Sequence, residues 1–201
     1  MFDPSIRIDG ENGVNPCFFM SPFPTGRHEA LVTELISQLS NYFKHSHCEV
    51  FGSNTGLFIG NRWNLIKDIP SVSSRFQKEI AQGKHLGLSL SPDLMIICNF
   101  TKQDFDFRGY HGVPRLIVEV SSPYTSTNDH TWKKDIYEAL GVQEYWIVSA
   151  ADSVSVFNLE NGKYNLQQFQ AEINDDSLKV YSTIFEGLII ELVKAKFKIW
   201  D

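Results

Sequence analysis

The chain has 201 residues, of which 42% are hydrophobic and 21% charged; this composition fits a globular domain with a sizeable core and excludes a disordered or collagen-like chain. Eighteen Lys and Arg residues against 24 Asp and Glu residues give a formal charge of -6, so no overall positive field attracts the protein to nucleic acid or to an anionic membrane. The three cysteines, Cys17, Cys48 and Cys98, are widely spaced, which indicates neither a disulfide framework nor a CxxC zinc site and makes a reducing compartment the expectation.

The N-terminal residues contain no apolar stretch of signal-peptide length, and no later uncharged run approaches the ~20 residues that a membrane helix needs. We therefore expect a cytoplasmic protein without a membrane partner. Its organisation is predicted as one domain over residues 1–201, with residues 1–24 as an irregular N-terminal segment.

The first predicted helix covers residues 25–43. Leu31, Leu35 and Leu39 recur at the spacing of one helical face, and Thr25 suits the N-cap position. Short β-prone pieces separated by glycines follow between residues 48 and 66. A further helix is predicted over residues 70–81, after the boundary that Pro70 creates.

Two short apolar runs come next, Leu94–Cys98 and Leu116–Val120, and both are typical of strands covered on both faces. A polar loop is predicted between them over residues 99–112. A helix is predicted over residues 127–140, with Gly141 as its C-cap, followed by a buried strand over residues 144–149.

The remaining chain alternates in the manner of a β-meander, and residues 188–197 fit either a helix or a strand. Helix, strands, helix and strands in this order predict a mixed sheet packed by helices. The fold class is therefore α/β, bordering on α+β.

Glu119 is the most informative residue, because it places a carboxylate inside the apolar strand Leu116–Val120. An ionised carboxylate that is buried without a partner costs several kcal/mol, so Glu119 must meet a cation, hydrogen-bond donors or a wet cleft. A catalytic role and a structural ion pair with Lys or Arg both satisfy this requirement.

Asp93 directly precedes the strand Leu94–Cys98. If this strand lies beside Leu116–Val120, Asp93 and Glu119 come within reach of one ion. Mg²⁺ favours one or two carboxylates together with waters and phosphate oxygens, which this pair provides. Alternatively, Asp93 is a turn residue that starts a strand after a proline.

A set of spaced motifs resembles the Uma-type restriction endonucleases of the PD-(D/E)XK nuclease superfamily. The resemblance covers the chain from His28 onward and is most specific between residues 91 and 148. Its motifs are Asp93 within Ser91-Pro92-Asp93-Leu94, the run of residues 112–123 that contains Glu119, the spaced Asp129, Lys133 and Tyr137, and the run of residues 141–148.

The resemblance implies a restriction endonuclease-like core, a mixed sheet flanked by helices, and metal-dependent cleavage of DNA. Asp93 and Glu119 would be the two acids that hold Mg²⁺, for which Mn²⁺ is a possible substitute. DNA would be the substrate, and a homodimer is expected because double-strand cutting needs two active sites.

Ser121 departs from the superfamily pattern, since it stands where Glu-x-Lys would place the catalytic lysine. We expect Lys133 of the next helix to be this lysine in a migrated position, with Lys134 as a substitute candidate. The alternative is an exposed Asp129 to Lys133 helix pair contributing about 0.3–0.5 kcal/mol and no chemistry.

Two residues of the first helix are weaker candidates. Glu34 lies beside the Leu31/Leu35 face, where superfamily members often supply another acid. His28 matches a frequent family position, at which it would contact phosphate or orient an acid; the alternative, which residue type and position alone favour, is a solvated histidine in the first turn.

Three functional hypotheses follow. The first is a Mg²⁺-dependent DNA endonuclease that uses Asp93, Glu119 and Lys133. The second is a catalytically silent nuclease-fold module that binds nucleic acid or a protein partner. The third is a hydrolase with the same metal chemistry that acts on another phosphodiester.

Overall fold

The computed structural model describes residues 6–8, 25–77, 88–121, 126–150, 153–170 and 175–193. Thirteen strands are described in these ranges. In chain order they are β1 (Ile6–Ile8), β2 (Cys48–Gly52), β3 (Leu57–Phe58), β4 (Leu88–Leu90), β5 (Leu94–Cys98), β6 (Phe105–Asp106), β7 (Gly109–Tyr110), β8 (Leu116–Val120), β9 (Glu144–Ala150), β10 (Ser153–Glu160), β11 (Lys163–Gln170), β12 (Ser177–Tyr181) and β13 (Ile189–Val193).

The α-helices are α1 (Gly26–Phe43), α2 (Trp63–Ile66), α3 (Pro70–Arg75) and α4. Helix α4 is continuous and consists of an α-helical start (Ser126–Asn128), a π-helical turn (Asp129–Lys133) and an α-helical end (Lys134–Leu140). Of the helices that the structure describes, none combines the length and the apolar character needed to cross a bilayer.

The main sheet has six strands in the order β11-β10-β9-β8-β5-β2. Its neighbours pair antiparallel except β8 and β9, which run parallel because α4 crosses over between them. A second sheet has the order β1-β4-β3-β7-β6, and β12 and β13 form a separate antiparallel pair. The predicted mixed sheet packed by helices is confirmed.

Apolar side chains cover both faces of the main sheet. On one face, α1 and the β12–β13 pair pack on alternate residues of β5 and β8, including Leu94, Ile96 and Val118. On the other face, α2, α3, α4 and the second sheet pack on Met95, Ile117 and their neighbours. Strand β8 is buried along its whole length, as its apolar sequence predicts.

Helix α1 agrees with the sequence prediction. Thr25 is its N-cap, with its side chain accepting a hydrogen bond from the His28 N–H at 3.2 Å. The predicted apolar face of Leu31, Leu35 and Leu39 is buried.

The end of α4 also agrees with the prediction. Gly141 adopts the left-handed conformation with φ 84°, which glycine enters without steric cost. The π-helical turn is not visible in the sequence, since it depends on how the helix packs against the sheet. Such turns are frequent at functional sites.

Several local predictions need correction or stay partly open. The predicted polar loop 99–112 contains the hairpin β6–β7, because Phe105 and Tyr110 pack on the core. Helix α3 ends at Arg75, and residues 78–87 lie outside the described part of the chain, as does the end of the predicted helix 70–81. Within the predicted segment 188–197, residues 189–193 form strand β13 and the rest is not described.

A disulfide joins Cys48 of β2 to Cys98 of β5. The sequence did not predict this bond, because the wide spacing of the cysteines indicates no disulfide framework. The two residues are 50 positions apart in the chain, and the antiparallel register of β2 and β5 places them directly opposite each other. Cys17 lies outside the described residues.

Hairpin β6–β7 meets strand β3 through a backbone contact. The Tyr110 N–H donates to the Gly56 carbonyl at 2.7 Å, and a Cβ added at Gly109 would collide with that carbonyl. Gly109 also has φ 122°, which side-chain-bearing residues rarely adopt. Both constraints explain a glycine at this position.

Candidate active site

Asp93 and Glu119 come together at one end of the main sheet, where Asp93 directly precedes β5 and Glu119 belongs to β8. Strands β5 and β8 are antiparallel neighbours, with Leu94 paired to Val118 and Met95 to Ile117. The Asp93 Oδ2 atom accepts a hydrogen bond from the Val120 N–H at 2.8 Å, which fixes the aspartate against β8. The predicted adjacency of the two acid-bearing strands is confirmed.

Glu119 is buried, with 3% of its surface exposed, and two side chains of α4 contact it. Lys133 Nζ lies 3.1 Å from Glu119 Oε1, and the Tyr137 hydroxyl donates to the same oxygen at 2.9 Å. Glu119 thus points to the face of the sheet that α4 covers, as the alternation of β8 predicts.

Lys133 contacts a second carboxylate. Its Nζ atom lies 3.0 Å from Asp129 Oδ1, and the side chains of both residues are almost completely buried. The alternative of an exposed Asp129 to Lys133 pair is therefore wrong. The Asp129 carbonyl in turn accepts a hydrogen bond from the buried Tyr145 hydroxyl at 3.1 Å, which attaches the π-helical turn to β9.

His28 reaches the other acid from the opposite side of the sheet. Its Nε2 atom lies 3.2 Å from Asp93 Oδ2, and its side chain is 18% exposed. The alternative of a solvated histidine is therefore wrong, because α1 directs this ring to the end of β5. Glu29 Oε1 lies 3.4 Å from the His28 Nδ1 atom.

The environment of the site raises the pKa values of Glu119 and His28. Burial raises the pKa of Glu119 to about 8; Lys133 lowers it, whereas the charges of Asp129 and Asp93 raise it further. The hydrogen bond with Asp93 raises the pKa of His28 above its usual value, against the effect of burial. Burial therefore favours the protonated form of Glu119 at neutral pH in the metal-free protein.

The other predicted residues are placed differently. Lys134 forms an ion pair with Asp135, in which its Nζ atom lies 3.1 Å from Asp135 Oδ1. Ser121 is 8% exposed and continues the β8–β9 pairing through its N–H, which donates to the Val148 carbonyl at 2.8 Å. The Glu34 carboxylate accepts a hydrogen bond from the Gln38 side-chain amide at 2.8 Å. The same amide also donates a hydrogen bond to the carbonyl of Glu191 in β13.

The donor set is compatible with a hard divalent cation. Asp93 and Glu119 supply carboxylate oxygens from neighbouring strands, and Mg²⁺ takes one or two carboxylates and completes its shell with water and phosphate. A divalent cation at Glu119 would favour the ionised carboxylate against the burial that raises its pKa. Within the described ranges no three or more His, Cys, Asp and Glu side chains form a group that could hold a metal ion.

Two contributors to this geometry were not predicted as site residues. Asp129 and Tyr137 were seen only as part of a helical stripe with Lys133, and their burial depends on packing against Glu119 and Tyr145. The available signal was the spacing of Asp129, Lys133 and Tyr137 by four residues, which puts a polar stripe on a helix whose neighbouring positions Trp132 and Ile136 are apolar.

Comparisons with known proteins identify the family. The Uma2 family, described as "Putative restriction endonuclease", matches residues 16–189. A solved structure from Anabaena variabilis, described as a putative nuclease of DUF820, is similar with a TM-score of 0.60 and 15% sequence identity, over 98% of this chain and 91% of that chain. No functionally curated protein matches the chain.

The family match spans well over half of the chain, and the structural similarity confirms the restriction endonuclease-like core that the motifs imply. The α/β class bordering on α+β is likewise confirmed. The chain therefore belongs to the Uma2 family.

Proposed function

We propose that this protein is a metal-dependent DNA endonuclease in which Asp93 and Glu119 hold Mg²⁺ and Lys133 is the catalytic cation. The observation that carries this proposal is the pair of carboxylates on adjacent strands, with a buried ammonium 3.1 Å from one of them. Membership of the Uma2 family supports the hydrolysis of nucleic acid phosphodiesters as the reaction.

Each residue has a distinct task in this proposal. The contacts described above use Oδ2 of Asp93 and Oε1 of Glu119, and we assign the second oxygen of each carboxylate to the metal. When bound, Mg²⁺ polarises the scissile phosphate and lowers the pKa of a water molecule. The Lys133 ammonium offsets the negative charge that develops on the phosphate.

Lys133 takes the task of the lysine that Ser121 replaces. A lysine two residues after Glu119 would project from the strand itself, whereas Lys133 reaches the same carboxylate from α4. His28 orients Asp93, whose Oδ2 atom it contacts at 3.2 Å. Mn²⁺ is the expected substitute metal because it accepts the same oxygen ligands.

Supercoiled plasmid DNA with Mg²⁺ tests this function. We expect the protein to nick the plasmid and expect Asp93→Asn, Glu119→Gln and Lys133→Met each to lower the rate by about 100-fold or more. Lys134→Met and Asp135→Asn are matched controls on the same helix, because their side chains pair with each other, and we expect both to retain activity. Unchanged nicking by both acid variants would contradict the proposal.

A catalytically silent module that binds nucleic acid or a protein is the second candidate. The ion pair between Lys133 and Glu119 favours it, because this pair satisfies the buried carboxylate without a metal. Calorimetric titration with Mg²⁺ and Mn²⁺ separates the candidates. The silent module predicts no binding heat, whereas the endonuclease predicts binding that Glu119→Gln abolishes.

We also propose a homodimer, since cutting both strands of DNA at one position needs two active sites. Sedimentation velocity should give the mass of two chains. A single-chain mass at concentrations at which the protein linearises plasmid DNA would contradict this assembly.

A further inference from the structure

We infer that Asp129 is a positioning residue, which keeps the Lys133 ammonium in the site when Glu119 binds the metal. This inference rests on the proposed function. Among the hydrogen bonds and ion pairs of the described residues, Asp129 contacts neither Asp93 nor Glu119. It acts on the site through its ion pair with Lys133.

One ammonium is shared by two buried carboxylates. Lys133 Nζ lies 3.1 Å from Glu119 Oε1 and 3.0 Å from Asp129 Oδ1, and none of the three side chains is more than 6% exposed. The two contacts are equally close, so Lys133 is held from both sides. An ammonium buried to this degree needs a counter-charge in every state of the site.

Binding of a divalent cation changes the partner of Glu119. The divalent cation would then replace the Lys133 ammonium as the main counter-charge of Glu119. It would also repel the ammonium, because both charges are positive. Asp129, 3.0 Å from the ammonium, then provides a counter-charge for Lys133. Without it, Lys133 would either leave the site or compete with the metal for Glu119.

Asp129 is itself held by the fold rather than by the lysine. It begins the π-helical turn, and its carbonyl accepts the hydrogen bond from Tyr145 at 3.1 Å. Tyr145 is fully buried on β9 and packs edge-on against Tyr137, with the ring centroids 5.0 Å apart. In the described part of the chain, Asp129 Oδ1 accepts no hydrogen bond. The polar contact of this oxygen is its ion pair with Lys133.

The alternative is that Asp129 only stabilises the helix. Both roles predict some loss of stability when its charge is removed, but only the positioning role couples Asp129 to metal binding through Lys133. A double-mutant cycle on metal affinity separates the two roles.

The test is calorimetric titration of the purified protein with Mn²⁺, without DNA, for wild type, Asp129→Asn, Lys133→Met and the double variant. We expect Asp129→Asn to weaken Mn²⁺ binding by about tenfold, since Lys133 then competes for Glu119. In the Lys133→Met background the same substitution should have little effect, or a small favourable one. Asp135→Asn, which removes a carboxylate of α4 that pairs with Lys134, should bind Mn²⁺ like the wild type.

Each outcome is decisive. Equal Mn²⁺ affinity of wild type and Asp129→Asn overturns the positioning role, and so does an equal weakening in both backgrounds. If the wild type binds no Mn²⁺, the proposed function itself fails and this inference fails with it. If Asp129→Asn does not fold, Tyr145→Phe takes its place, because it releases the Asp129 carbonyl and keeps the charge; unchanged Mn²⁺ affinity in that variant overturns the inference.

Discussion

The Asp93 carboxylate accepts a hydrogen bond from the N–H of Val120, the residue that follows Glu119 in β8. The separation of the two acids is therefore set by the backbone of the sheet. Helices on both faces complete the site, since His28 contacts Asp93 from α1 and Lys133 contacts Glu119 from α4. The site lies where both helical layers reach the same end of the sheet.

Replacing Lys133 by Met should destabilise the protein strongly. The substitution leaves Glu119 and Asp129 buried without their shared cation, and breaking a buried ion pair costs about 3–5 kcal/mol. Urea denaturation at neutral pH measures the free energy of unfolding. Lys134→Met is the matched control, because its partly exposed pair with Asp135 contributes at most about 1 kcal/mol. A similar small loss for both variants would contradict the buried ion-pair network.

The stability of the metal-free protein should fall as the pH rises from 4.5 to about 8. Glu119 has its usual pKa of 4.5 in the unfolded chain and about 8 in the folded protein, so the folded state binds this proton more tightly over that range. The free energy of unfolding therefore decreases with pH, by at most about 1.4 kcal/mol per pH unit for one proton.

Urea denaturation in the presence of a chelator measures this dependence, and Glu119→Gln should flatten it. His28 acts in the same direction, because its pKa is raised and its contribution is lost as the pH rises through the folded value. The contribution of His28 to the pH dependence of stability should remain in the Glu119→Gln variant. A steeper decline in the variant than in the wild type would contradict the raised pKa of Glu119.

Tyr137→Phe should destabilise the protein more than Tyr164→Phe does. Both substitutions remove one hydroxyl that donates a 2.9 Å hydrogen bond, to the Glu119 carboxylate in the first case and to the Val142 carbonyl in the second. A hydrogen bond to a charged acceptor contributes about 1.5–3 kcal/mol, and a neutral one about 0.5–1.5 kcal/mol. Urea denaturation of the two variants at a pH above the Glu119 pKa of about 8, where this carboxylate is ionised, gives the comparison, and the reverse order would contradict a charged acceptor.

Breaking the Cys48–Cys98 disulfide should lower stability by about 2–4 kcal/mol, because the bond closes a loop of 50 residues in the unfolded chain. Urea denaturation with and without a reductant measures the effect. Cys48→Ser should match the reduced wild type and lose its response to the reductant, whereas Cys17→Ser should keep that response. Three free thiols per chain in the unfolded wild-type protein, purified without a reductant, would contradict the disulfide.

Elements with a strong periodic pattern were predictable from the sequence. Helix α1 with its Thr25 cap, strands β5 and β8, and the end of α4 at Gly141 follow from local spacing and capping chemistry. The hairpin β6–β7 was not predictable, because its strands have two residues each and depend on Phe105 and Tyr110 reaching a distant core.

The candidate site was predictable only in part. An acid within the apolar run of β8 indicated Glu119, and the proximity of Asp93 followed from strand adjacency. The burial of Asp129 was not predictable, since an aspartate four residues before a lysine has the same spacing on an exposed helix. Contacts between α4 and β9, among them the Tyr145 hydrogen bond to the π-helical turn, decide between the two cases.

Hairpin β6–β7 and strand β3 meet through main chain at Gly56 and through the Arg108 guanidinium, which lies 4.1 Å from the centroid of the Phe58 ring. Gly109 permits the close approach to the Gly56 carbonyl, while Phe107, two residues earlier at the hairpin tip, is 88% exposed. In a library of random substitutions, position 107 should accept almost every amino acid and position 109 almost none. Hydropathy would rank the two positions the other way round, with the aromatic residue as the constrained one.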